Sequence, residues 1–222
     1  MLILGVDTSG KNGSIALVEF KNGTSRTLEV VALEGGTFSA QLIPQISELL
    51  SRHKFTKSNV DGFAAVSGPG SFTGLRVGLT AIKALGEVLK KPIAAVSLLE
   101  AIARASRESG KVVAVLDAGR AEVYAGEFSV NQAKAAFGWQ RLVPLEELSA
   151  SSAGSEIVTP DPRIAGVARE RALRVVQIEY PKSDFIARLG FEKINAGDVI
   201  SVESLDANYI RRSDAEIKLA GH

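Results

Sequence analysis

The chain predicts an α/β fold written twice, with each half running strand, strand, strand, helix, strand, helix, strand, helix. Two observations carry that expectation. Short apolar runs alternate with longer segments whose apolar residues recur every three or four positions, the mark of strands alternating with amphipathic helices. Asn22-Gly23 lies between two of the short runs and is a strong hairpin signal. The repetition lies in the pattern of elements, since the residues of the two halves do not repeat.

In the first half the expected strands are Leu2 to Val6, Ser14 to Phe20 and Arg26 to Leu33. A helix follows from Ser39 to His53, with Leu42, Ile43, Ile46, Leu49 and Leu50 on one face. Pro44 interrupts it and should kink it or mark its true first turn. Next come strand Gly62 to Val66, helix Phe72 to Lys90 and strand Ile93 to Val96. Ser97 and Glu100 have capping-box spacing for a further helix, which Gly110 ends. The second half has strands Val112 to Leu116, Glu122 to Phe128 and Phe137 to Val143, then a short helix Leu145 to Leu148. Strand Glu156 to Val158, helix Arg163 to Ala172 and strand Val175 to Ile178 follow, and Ser183 is expected to cap a last helix, Asp184 to Asn195. The expected domains are 1–105 and 106–222, with a charged tail, Ser213 to His222, that frays or packs back. This order of elements is that of the ribonuclease H-like half of the actin-like ATPase and sugar kinase superfamily.

Composition narrows the chemistry. Lys plus Arg number 26 and Asp plus Glu 25, a near-balance that argues against a strongly basic nucleic-acid binder acting alone. The absence of cysteine removes disulfides, thiol catalysis and thiolate zinc sites. The only histidines, His53 and His222, are far apart, which argues against a histidine metal cluster in one chain. No apolar run reaches membrane-spanning length, and Met1 to Val6 is too short for a signal peptide, so a cytoplasmic protein is expected.

The densest signal is the run Ser67 to Gly78 (SGPGSFTGLRVG), a glycine-rich turn leading into a helix with Ser71 as N-cap. Gly74 and Gly78 leave one helix face without side chains, so another backbone could approach it closely. Two readings stay open: an anion cradle at a helix start, or a turn that only permits tight packing. The spacing fits neither a Walker A loop nor the dinucleotide fingerprint. Asp7 and Asp117 each follow the first strand of their half, and Thr8, Ser9 and Gly119 adjoin them. Such carboxylates hold magnesium through its waters in nucleotide-binding folds, or simply satisfy backbone donors at strand ends. Arg76, Lys83, Arg120 and Glu122 near these loops read as surface groups rather than catalysts.

The run Ser67 to Gly78, with Val6 to Leu17 (VDTSGKNGSIAL) before it and Asp117 to Phe128 (DAGRAEVYAGEF) after it, resembles the TsaB (YeaZ) family. The resemblance is densest from Leu2 to Ala103 and thin from Ser129 to Glu203. It implies a non-catalytic scaffold and activator of TsaD in forming N6-threonylcarbamoyladenosine next to the anticodon of tRNAs that read ANN codons. TsaD resembles this fold but holds a metal on two helical histidines spaced i, i+4, which this chain lacks. The resemblance further implies a four-helix interface made by helices 39–53 and 72–90, with Leu42, Ile46, Phe72, Leu75, Leu79 and Ile82 packing and Gly74 and Gly78 giving close approach. On that basis Gly78→Leu should block association and leave the monomer folded.

The implied partners are a TsaD-type subunit, a TsaE-type ATPase, a second copy of the chain when TsaD is absent, and tRNA only through the assembly. No cofactor is expected of the chain itself; ATP or ADP and Mg belong to the assembled complex, with Asp7, Thr8, Ser9, Asp117 and Gly119 as the nucleotide candidates. Two departures stand out: Phe38-Ser39 where His-Ser is common, and Ala207 to Arg211 where Pro-x-Tyr-x-Arg is common. The alternatives are an active actin-fold ATPase or kinase, and a homodimeric binding protein unrelated to tRNA.

Overall fold

The computed structural model describes residues 1–106, 109–131, 134–152 and 154–210; the expectation for Ser213 to His222 lies outside them. The first half contains β1 (Leu2–Asp7), β2 (Gly13–Lys21), β3 (Thr24–Leu33), α1 (Phe38–Arg52), β4 (Gly62–Gly68), α2 (Phe72–Leu89), β5 (Ile93–Ser97) and α3 (Leu98–Ala105). The second contains β6 (Gly110–Gly119), β7 (Glu122–Asn131), β8 (Lys134–Pro144), α4 (Leu148–Ser151), β9 (Glu156–Thr159), α5 (Pro162–Glu170), β10 (Val175–Gln177) and α6 (Ser183–Asn195).

Two five-stranded sheets result, ordered β3-β2-β1-β4-β5 and β8-β7-β6-β9-β10. In each, the first three strands form an antiparallel meander, and two parallel strands extend the other side. The identical order in both sheets makes this a pair of ribonuclease H-like halves, as the pattern of elements predicted. Asn22 and Gly23 carry φ of 53° and 74°, the left-handed pair that a two-residue hairpin requires.

The compact units divide differently from the expected 1–105 and 106–222. One is Met1–Ser97 with Lys182–Asn208, and the other is built on Leu98–Pro181. The helix that ends each half therefore belongs to the other half's sheet. In the first unit α6 lies on β1, β2, β4 and β5, where a side chain at Gly5 or Gly190 would strike Ser183 and Ala187 or Ala64. In the second unit α3 lies on β6 and β7, with Leu99 against Gly126. Periodicity shows that a helix has an apolar face but not which sheet that face covers.

The first unit's sheet is covered on both sides. Gly5 faces α6, while Leu4 and Val6 of the same strand join Leu42, Ile46, Leu79 and Ile82 of α1 and α2 in one core. Burying a leucine-sized side chain contributes roughly 1.5–3 kcal/mol, so this layer holds much of the unit's stability. Pro44 sits inside α1 without ending it. Ser183 is not a cap: Lys182 holds that position, and the fully buried Ser183 hydroxyl has no hydrogen-bond partner.

Candidate functional site

The glycine-rich run is the end of β4, a turn and the first two turns of α2. Ser71 is the N-cap of α2, its hydroxyl accepting from the Gly74 amide at 3.3 Å. The Gly68–Pro69 peptide is cis, and the Asn208 amide donates to the Ser67 carbonyl at 2.6 Å beside it.

The glycines have an occupant within the unit. Residues 8 and 9, which follow β1, lie on the bare face of α2. A Cβ at Gly70 would stand 2.5 Å from the Ser9 carbonyl oxygen, one at Gly74 2.0 Å from the Thr8 carbonyl oxygen, and one at Gly78 2.3 Å from Thr8 Oγ1. The Ser71 amide donates to the Ser9 carbonyl at 2.6 Å, and Thr8 Oγ1 donates to the Gly74 carbonyl at 2.7 Å. Asp7 anchors the loop, its Oδ1 accepting from the Ser9 amide at 2.8 Å and from the Ser9 hydroxyl at 2.5 Å. Asp7, Thr8 and Ser9 are all buried, at 2%, 3% and 3% exposure. Buried polar groups need such partners, because an unpaired one costs roughly 1–3 kcal/mol.

This geometry corrects the expectation that Gly74 and Gly78 admit a partner helix. The close approach is real, but the backbone that approaches is the chain's own. Gly78→Leu would collide with Thr8 and disturb the fold itself. Leu42, Ile46, Leu75, Leu79 and Ile82 are also buried inside the unit, none more than 4% exposed, so their side chains do not reach the surface. Their apolar excess is absorbed by the sheet below and by the contact between α1 and α2. Phe38 is 7% exposed and packs against Gly13 and Gly74, inside rather than at an interface. Among the expected interface residues Phe72 is the exposed one, at 38%, and the Arg76 guanidinium lies 3.6 Å from its ring centroid.

Apart from Phe72, α1 and α2 present outward residues other than those expected at an interface. Ala40, Ile43, Pro44 and Ser47 of α1 and Thr73, Arg76, Thr80 and Ala84 of α2 are exposed; Ile43, which periodicity groups with Leu42 and Leu49, is instead 41% exposed. Between Ala40 and Ser47 and between Thr73 and Ala84, Arg76 is the one exposed charge; Lys83 is partly buried, and the Glu48–Arg52 pair borders the face on α1. The signal for this face was present in the sequence as the small, uncharged residues on the side of each helix opposite its leucines.

The second unit arranges its loop otherwise. Asp117 Oδ1 accepts from the Gly119 amide at 3.1 Å and from the Arg163 guanidinium at 2.8 Å, in an ion pair that is about half exposed (53% and 44%). Asp7, Thr8 and Ser9 thus form one cluster with α2, while Asp117 and Gly119 belong to a different unit with a different partner. The described residues contain no group of three or more His, Cys, Asp or Glu side chains placed to hold a metal ion. No described helix is long and apolar enough to cross a membrane.

The family model for TsaD, tRNA N6-adenosine threonylcarbamoyltransferase, matches residues 35–182. The chain belongs to this family. Within it, the chain is of the TsaB (YeaZ) type, as the residues around the glycine-rich run implied. It is 26% identical to the Bacillus subtilis tRNA threonylcarbamoyladenosine biosynthesis protein TsaB over 98% of this chain and 97% of that one. The Escherichia coli TsaB protein is 25% identical over 100% and 99% of the two chains. A Pseudomonas aeruginosa structure described as similar to the peptidase YeaZ superposes with a TM-score of 0.76 at 26% identity, covering 95% of this chain and 99% of that one.

Proposed function

We propose that this chain is a non-catalytic scaffold and activator subunit in the formation of N6-threonylcarbamoyladenosine in tRNA. Similarity over nearly the full length of proteins named for that pathway supports the pathway. The observation that carries the subunit role is the outer face of α1 and α2. Two packed helices present an almost uncharged surface of small residues, with Ile43 and the Phe72–Arg76 pair standing above it. Small residues let a second pair of helices approach closely, and apolar anchors within a smooth surface suit protein contact better than solvent.

In this reading the face docks a TsaD-type subunit, which carries the transferase chemistry on the adenosine next to the anticodon of tRNAs reading ANN codons. A TsaE-type ATPase joins the assembly, tRNA is reached only through it, and ATP or ADP with Mg serves the assembly rather than this chain. Without a TsaD-type subunit the same face pairs with a second copy. The Asp7 loop supports a structural rather than an ATPase role, because Thr8 and Ser9 are spent on α2. Light scattering after size exclusion tests the proposal, with the chain alone and mixed with the TsaD-type protein of the same organism. A species of one chain and one TsaD-type subunit is expected; two components eluting independently would refute the proposal.

A further inference from the structure

The loop on α2 touches the helix on the side away from the proposed docking face, and the contact has no flexible layer in it. The Ser9 carbonyl holds the N-cap through the Ser71 amide at 2.6 Å. Thr8 Oγ1 holds the first turn through the Gly74 carbonyl at 2.7 Å and occupies the second turn at Gly78, where a Cβ would stand 2.3 Å away. Backbone and a β-branched side chain meet helix backbone directly. Side chains elsewhere absorb small shifts by changing rotamer, but glycines have none, so a displacement of the loop passes to the helix. The loop is in turn fixed to the sheet through Asp7, which closes onto Ser9 and pairs with Ser14 of β2. The outward residues of the same two turns are Phe72, Thr73 and Arg76.

We infer that Thr8 is the positioning residue of the α2 docking face: its hydroxyl and methyl fix the height and tilt of the first two turns, and so the place of Phe72 and Arg76. This rests on the reading of that face as the contact for a TsaD-type subunit. Thr8→Val keeps the branched shape and loses the donor. Its cost to folding should be small, because in helix geometry the Gly74 carbonyl also accepts from the amide four residues on. Thr8→Ser keeps the donor. Gly78→Ala introduces a carbon at the Thr8 hydroxyl, and Thr8→Ala removes the atom it strikes.

The test is a titration calorimetry series of these variants with the TsaD-type subunit, alongside amide hydrogen exchange of α2 in the free chain. Thr8→Val should weaken association by about tenfold, the scale of coupling between groups in contact, and Thr8→Ser should restore it. Gly78→Ala should weaken association at least as much, and adding Thr8→Ala should recover part of the loss. In the free chain, Thr8→Val should speed exchange in the first two turns of α2, and Thr8→Ser should not. Unchanged affinity in Thr8→Val and Gly78→Ala, with wild-type exchange in α2, would overturn the inference. If the wild type itself fails to bind, the docking reading falls, while the exchange comparison still decides whether Thr8 positions the helix.

Discussion

The two units share a strand order and differ most in the connection that follows their first strand. In the first unit, residues 8 and 9 of the connection between β1 and β2 lie on α2 and the turn before it, with Gly70, Gly74 and Gly78 at the contacts. In the second, residues 120–121 turn the chain at once from β6 to β7; the Asp117 carboxylate reaches Arg163 of the corresponding helix, α5, and a Cβ built at Gly166 of that helix has no atom within 4 Å. The carboxylates after the two strands diverge accordingly. Asp7 is sealed and bonded to its own loop, while Asp117 stands half exposed with Arg163. A glycine in a helix is therefore informative only with its neighbour in view: the same residue is a contact requirement in α2 and an unfilled position in α5.

The sharpest break of this comparison is a pair of side-chain additions. Gly74→Val should destabilise by about 3 kcal/mol or more, because its Cβ meets a carbonyl oxygen that cannot rotate away. Gly166→Ala should stabilise by roughly 0.5–1 kcal/mol through helix propensity. Urea denaturation of both variants measures the contrast, and equal effects would erase it. Next in size is the pair of carboxylates. Asp7→Ala strands the buried Ser9 amide and hydroxyl and should cost about 2–3 kcal/mol. Asp117→Ala, which breaks a solvent-screened pair, should cost less than about 1 kcal/mol.

A smaller effect sharpens the difference between the hairpins. Asn22-Gly23 suits its left-handed turn, whereas Arg120 and Ala121 hold φ of 56° and 59° without being glycine or asparagine. Ala121→Gly should relieve about 1 kcal/mol of that strain, read as a raised melting temperature. The smallest expected effect is one of pH. Hydrogen bonding to Arg52 holds the Glu29 carboxyl below its ordinary value of 4.5, with His53 adding to the effect. A depressed carboxylate contributes stability that is full above its unfolded pKa and is lost as pH falls through the folded one. Stability should therefore decline below about pH 4.5 partly through Glu29, and Glu29→Gln should flatten that part of the acid limb.

Much of the fold was legible because its signals are local. Alternating runs, Asn22-Gly23 and the leucine face of α1 each specify an element without reference to the rest. The partition of α3 and α6 was not legible, since Leu99 and Ala187 are apolar in either placement and only the sheets decide between them. The site was half legible. The glycine stripe announced a close approach, but no pattern within α2 says that the approaching backbone is residues 8 and 9. The leucines and isoleucines expected to face a partner lie instead between the sheet and the α1–α2 contact, and the outer face shows itself through exposed residues such as Ile43 and Ala40.

On the function proposed, this outer face binds a TsaD-type subunit while the buried layer beneath holds the fold. The direct measurement is a calorimetric titration of that subunit into the wild type and into Ile43→Asp, with melting temperatures of both. A wild-type titration, no measurable binding by Ile43→Asp and closely matching melting temperatures are predicted. Equal affinity in the two proteins would contradict the claim.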